Sequence, residues 1–430
     1  MTDHGRRSLL ATAGTALAGT LAGCSTLEGL SSESTVEYDD SALAALPGDV
    51  PEVPAPEPVQ PTPAHLEAAR DRVRSSLAGT DLSRVPNAVV RQRLDRERDS
   101  ARDALAADET GDSRVEALAG LTHPRAEAMF VQAGLAAFDG RLTATDLTAR
   151  RDRQQREATA FLDDYRYVGS SGAPAETLAE HARIVEWATT GSRLLEPDQY
   201  YEYENTVLHR AELARDIEWG RAYAADARRL RDHYVSTLAD TTDYTDRFAG
   251  VADGLVVEVE THAAAPDWET LTSDFERDIE NTAAERLLEE LARRRWSHAE
   301  TAVEADDDAG DDVLTISAAM HSLVADRAFA AVTEAVEAGA YETPESVDPI
   351  AAERTAAVEQ LQTLLDTEPA PLASRLASRV ATELGNADRQ VRQERVSAPA
   401  SYLYAEYALA NQYAAAAPPV IRRVGVTLDG

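Results

Sequence analysis

Two pairs of side chains stand at a spacing that could bring metal ligands onto one helix face: His209 with Glu212, and Glu258 with His262. If the helices pack side by side, imidazole nitrogens and carboxylate oxygens could converge on a divalent cation. In a chain with 76 acidic residues such pairs also arise by accident, and a solvated helix face is the simpler reading. The run from Asp306 to Asp312 offers oxygen ligands for calcium or magnesium. It breaks the EF-hand pattern, with Asp311 where the sixth-position glycine belongs and Ser317 at the twelfth position, so a solvated loop is expected. Tyrosines gather twice, as Tyr200, Tyr201 and Tyr203 and as Tyr402, Tyr404 and Tyr407. A tyrosine offers flat area with a polar tip, suited to a sugar, a peptide or a partner surface. Each cluster spans opposite sides of a helix, so at least one ring in each is expected to face outward or into a second contact.

Other chemistry is excluded by residue type. All 42 basic residues are arginine, so a lysine Schiff base cannot form. The sequence lacks HExxH, GxSxG, a Walker loop and GxGxxG. No cofactor is predicted.

The elements that must carry these residues read as helices. From Ala64 onward Ala, Arg, Glu and Leu dominate, and alternating β-branched runs are almost absent. One long helix is predicted after Leu194-Leu195, with apolar positions from Tyr203 to Leu238. A second is predicted from Trp268 through Leu271, Phe275 and Ile279 to Trp296, and a third along Val313, Ile316, Met320, Val324, Ala331 and Ala335. Leu255–Val259 looks strand-like but reads as helix in context, and Val420–Leu428, after Pro418-Pro419, reads as extended. The fold class is all-α, an antiparallel helical bundle or stacked helical hairpins. Two subdomains are allowed, meeting near residues 169–172 or 306–312.

Residues 24–63 read as a disordered proline-rich tether. Prolines at 47, 51, 54, 56, 58, 61 and 63 disfavour helix and favour an extended spacer, which would hold the body about 50 Å away from its attachment point.

That attachment point is Cys24, the only cysteine in the chain. Arg6 and Arg7 precede an uncharged, weakly apolar run from Ser8 to Gly23, too short and soft for a membrane span. The arginine pair followed by Leu9-Leu10 resembles a twin-arginine (Tat) export signal. Leu21, Ala22 and Gly23 before Cys24 resemble a lipobox. That resemblance implies removal of residues 1–23, lipidation of Cys24, and an extracytoplasmic body of residues 64–430 anchored to membrane lipid.

The formal charge is -34, with nearly two acidic residues for every basic one. Nucleic acid is disfavoured as a partner, because phosphate binding needs a basic stripe. At molar salt the Debye length is about 3 Å, so this crowd of carboxylates is screened. The composition resembles that of salt-adapted proteins, those of haloarchaea above all. The expected role is a binding, scaffolding or accessory protein of an envelope complex on the outer face of the cell membrane. The alternative is an extracytoplasmic enzyme with a carboxylate and histidine metal site in a helical cleft.

Overall fold

The computed structural model describes residues 40–54, 59–106, 113–196, 205–268, 270–273, 275–306, 311–392 and 400–430. The Tat-like signal, the lipobox and the Tyr200–Tyr203 cluster lie outside them. Helices make up nearly all the regular structure among the described residues, as the sequence predicts.

In the first region a single turn, α1 (Asp40–Ala44), leads to α2 (Pro63–Leu77), α3 (Ala88–Ala106), α4 (Arg114–Gly120), α5 (Thr122–Phe138) and α6 (Ala144–Asp163). A short strand β1 (Val168–Ser170) precedes α7 (Pro174–Leu194), and α8 (Thr206–Thr237) is followed by β2 (Thr241–Asp243). Local chemistry starts these helices. Thr62 caps α2 ahead of Pro63, Thr143 and Asp146 form a reciprocal capping box on α6, and Asn205 accepts from two backbone N–H groups of α8. α8 is the spine, with α5, α6 and α7 packed along it. At the α7–α8 crossing the backbones nearly touch: a Cβ on Gly191 would meet Ala224 N at 2.7 Å, and one on Gly220 would meet Gly191 O at 2.8 Å. β1 and β2 pair antiparallel, Val168 opposite Asp243, and so tie the start of α7 to the end of α8. The glycine-rich stretch 169–172 is thus part of this clasp.

The second region comprises α9 (Thr245–Val259), α10 (Ala283–Asp306), α11 (Asp312–Glu337), α12 (Asp348–Leu365), α13 (Ala370–Arg392) and α14 (Ala400–Asp429). α10 and α11 form a hairpin across a short connector, and α14 runs through the middle against α10, α11, α12 and α13. α7 touches α11, α13 and α14 and joins the regions through one continuous Ala-, Leu- and Val-rich core.

Three expectations need correction. The described residues between 263 and 282 form turns, bends and irregular backbone rather than helix, although Trp268, Leu271, Phe275 and Ile279 have helical spacing. There Thr270 and Ser273 donate to backbone carbonyls three residues back, Asp278 accepts from Glu280 N, and Asn281 sits at φ 60°. Those local bonds compete with the helical ladder. The C-terminus is helix, not extended: α14 continues through Pro418 and Pro419. Burial of Val420, Ile421, Val424 and Leu428 at helical spacing outweighs the lost hydrogen bonds, a proline penalty of about 3 kcal/mol.

The third correction concerns the proline-rich segment, which lies on the body wherever it is described. Leu43, Leu46 and Pro61 are buried. Gly48 O accepts from Arg354 Nη2 at 2.9 Å, and Val59 N donates to Glu180 Oε2 at 2.8 Å. The expected stand-off therefore does not apply to residues 40–54 and 59–63. The extended backbone that proline imposes is used to lay a strap across both regions. Among the described residues, no helix is long and apolar enough to cross a membrane.

Candidate functional site

A cleft of about 620 Å³, open to solvent, lies between α10 and α14, with Trp268 at its edge. Arg286, Glu289, Glu290, Arg293 and Arg294 recur at three- and four-residue steps along α10, so one face of that helix is a mixed-charge stripe. Tyr402, Glu406 and Leu409 do the same on α14. The stripes face each other because the opposite face of α10 is apolar, with Ala284, Leu288, Leu291 and Ala292 fully buried.

Charges in the cleft are held by one another. Glu290 takes hydrogen bonds from both Arg293 and Arg294, and Arg294 reaches on to Glu383 of α13. Burial works against the Arg294 charge, but Glu383 and Glu290 more than offset it and raise its pKa. The Arg286 guanidinium lies 4.8 Å from the centre of the Tyr402 ring, a cation–π contact that orients both. Two carboxyls are less well satisfied. Burial raises the pKa of Glu406, with Glu290 adding to the effect and Arg294 opposing it. Burial likewise raises Glu289, helped by Glu285. The cleft thus mixes fixed ion pairs, two carboxyls disposed to take protons, and aromatic edges.

Behind it, buried histidines and tyrosines cross the bundle. Tyr413 Oη is 2.5 Å from His321 Nδ1, and His298 stacks on His321 with ring centres 5.0 Å apart. Burial lowers the pKa of both imidazoles, that of His298 to about 4. Arg294 lies over the Tyr413 ring at 5.9 Å, so this core adjoins the cleft.

The residues singled out from sequence fall in different places. Tyr402 lines the cleft, Tyr404 packs on the Tyr341 ring at 5.8 Å, and Tyr407 is fully buried, its hydroxyl donating to Asp388 Oδ1 at 2.8 Å. One outward ring among several structural ones is what opposite-side placement implies. Glu212 pairs with Arg215 on α8, and Glu258 pairs with Arg423 of α14 at 2.6 Å. His209 Nδ1 is buried without a partner among the described residues, and His262 Nε2 lies 3.5 Å from Asp326 Oδ1. Among the described residues no group of three or more His, Cys, Asp or Glu is placed to hold a metal ion. In the acidic run, Asp311 is buried just ahead of α11 and Asp312 begins that helix; residues 307–310 are outside the description. The stripe on α10 and the His298–His321–Tyr413 core were missed from sequence. The first could have been found as arginine and glutamate alternating at helical steps. The second had no local signal, since its members lie on three helices.

Residues 64–240 match a family described as Domain of unknown function (DUF8262), and residues 245–425 match one described as Domain of unknown function (DUF8264). The two matches adjoin at β2, between α8 and α9. No curated protein and no solved structure matches the chain.

Proposed function

We propose that this is a Tat-exported lipoprotein of a salt-adapted cell, anchored through Cys24 on the extracytoplasmic face of the membrane, whose α10–α14 cleft binds an envelope ligand or partner protein. The anchoring half rests on sequence: Arg6-Arg7, the weakly apolar run, and Leu21-Ala22-Gly23 before the only cysteine. The salt-adapted half rests on the charge of -34 without lysine. One observation carries the binding half. The cleft is wide, open and lined by charges already fixed in ion pairs, so donors and acceptors are pre-arranged with little ordering cost left to a ligand. Such a surface suits a polar partner that offers both donors and acceptors.

A second reading, extracytoplasmic catalysis, has one observation behind it. Glu406, whose pKa burial raises, lines the same open cleft, where a carboxyl disposed to hold a proton is suited to act as a general acid. Equilibrium binding and turnover assays on the same ligand panel in molar salt separate the two. Saturable binding that leaves the ligand unchanged supports the first, and conversion that Glu406→Gln abolishes supports the second. For the anchor, Cys24→Ala is expected to move the protein from the membrane fraction to the medium; retention in the membrane fraction contradicts lipidation.

A further inference from the structure

Three arginines and three glutamates line the α10–α14 cleft, so it is locally neutral in a chain of charge -34. Those charges already answer one another. Glu290 accepts from Arg293 and Arg294, and Arg294 also donates to Glu383. The Arg286 guanidinium lies over the Tyr402 ring, and the Tyr402 hydroxyl bonds Glu406. An incoming ion would have to draw its counter-charge out of an existing contact, and so gains little from the exchange. An uncharged ligand rich in hydroxyl groups meets no such cost. A carboxylate in an ion pair keeps spare lone pairs for it, and a guanidinium keeps spare N–H donors. Both long walls are helices, and backbone groups inside a helix bond along its own ladder. The cleft therefore offers an extended peptide no strand edge to pair with, and side chains must do the recognising. A flat apolar surface is present as well. Trp268 stands at the rim on the irregular stretch between α9 and α10 and is 40% exposed. Trp187, which serves the core, is 5% exposed.

We propose that the ligand of this cleft is an uncharged saccharide chain, with one sugar ring lying flat on the Trp268 indole and its hydroxyl groups bonded to Glu289, Arg293 and Glu406. The proposal rests on the binding role given to the cleft above and names the ligand class. A sugar ring has an apolar C–H face and a rim of hydroxyl groups that both donate and accept. Those are the two surfaces the cleft presents, an indole at the rim and paired charges along the walls. Its volume of about 620 Å³ falls within the range of about 300–1,000 Å³ usual for small-molecule sites, which favours a short chain of sugars over a folded protein.

The test applies the full chain, in molar potassium chloride, to a glycan array of neutral, carboxylated and sulfated oligosaccharides and to an array of hexapeptides. Neutral glycans are expected to bind, and the sulfated form of a bound glycan should bind about tenfold more weakly. For a neutral glycan that binds, Trp268→Ala should weaken affinity about tenfold, and Trp268→Tyr, which keeps a ring, should restore most of it. Trp268 is exposed on irregular backbone, so both variants should melt with the parent. Binding confined to acidic glycans or to peptides overturns the saccharide class; its loss in Arg293→Ala with Glu406→Gln would leave the binding role of the cleft standing. Neutral-glycan binding that Trp268→Ala leaves unchanged overturns the stacked pose and with it the proposal. No binding on either array overturns both the ligand class and the binding role.

Discussion

The stretch of α8 that carries Glu218 and Asp226 and the cleft face of α10 handle charge in opposite ways. In residues 64–240, the spine α8 turns Glu218 and Asp226 into the protein, and each is closed off by cations. Asp226 accepts from His65 at 2.8 Å and Arg125 at 2.5 Å, and Glu218 accepts from Arg72 at 2.8 Å and from Arg221. Burial works against both carboxylates, yet these donors overcome it and hold their pKa values below the ordinary range. In residues 245–425, α10 turns a similar stripe of arginine and glutamate toward an open cleft, where Glu406 and Glu289 have raised pKa values. Ion pairs at helical spacing are therefore ambiguous in sequence. Depth of burial decides whether they hold the fold together or face a ligand.

The contrast can be broken at its strongest point first. Asp226→Ala leaves His65 and Arg125 facing each other in the core and is expected to cost about 3–5 kcal/mol, measured by urea unfolding in molar salt. A loss below about 1 kcal/mol would mean that water or relaxation replaces the pair. Next comes the buckle of the strap. Asp388 is held by two hydrogen bonds from Arg354 and one from Tyr407, and Arg354 also holds Gly48 O. Asp388→Asn should cost about 2–3 kcal/mol and should expose residues 45–54 to limited proteolysis well before the body. Simultaneous cleavage of strap and body would show that the strap is not a separate layer.

Acid should weaken both regions without mutation, because His181 in the first and His298 and His321 in the second are all buried imidazoles with lowered pKa values. His181 is fully buried and neutral, bonded to Tyr165 Oη at 2.7 Å and Val168 O at 3.0 Å, and burial lowers its pKa to about 4. The unfolded chain takes up this proton first, so the contribution is present above about pH 6.5 and is lost as pH falls toward 4. Glu406 has the opposite sign. Its raised pKa means that its contribution is fully present below the ordinary carboxylate value and is lost as pH rises through the folded one. A melting series from pH 8 to 4 should therefore steepen downward below about 6.5. Glu406→Gln should lift only the neutral end. The smallest expected effect is in the cleft: Arg293→Ala, exposed and paired among the described residues only along its own helix, should change stability by less than about 1 kcal/mol. Its effect belongs to binding.

The helical class is legible in the sequence because propensity and the near-absence of alternating strands point one way from Ala64 onward. The apolar spacing marks α11 closely, yet points Ala331 and Ala335 inward, where Val332 and Val336 are the buried pair. Alanine fits either side of a helix, so an alanine-rich stripe drifts unnoticed. Trp268–Ile279 failed because Thr270, Ser273 and Asp278 bond locally to the backbone, and Pro418-Pro419 failed because packing far away in sequence overrides a breaker. Tyr402 was legible as a surface candidate, since three tyrosines around one helix cannot all be buried together. The cleft it lines was not, because its partners come from a helix more than a hundred residues earlier.

The most direct measurement of the central claim is a thermal-shift screen of the full chain against envelope saccharides and peptides in molar salt, run beside Arg293→Ala with Glu406→Gln. The double variant should melt within about 2 °C of the parent. A ligand that raises the parent's melting temperature should leave the variant's unchanged. An equal shift in both would contradict a binding role for the α10–α14 cleft.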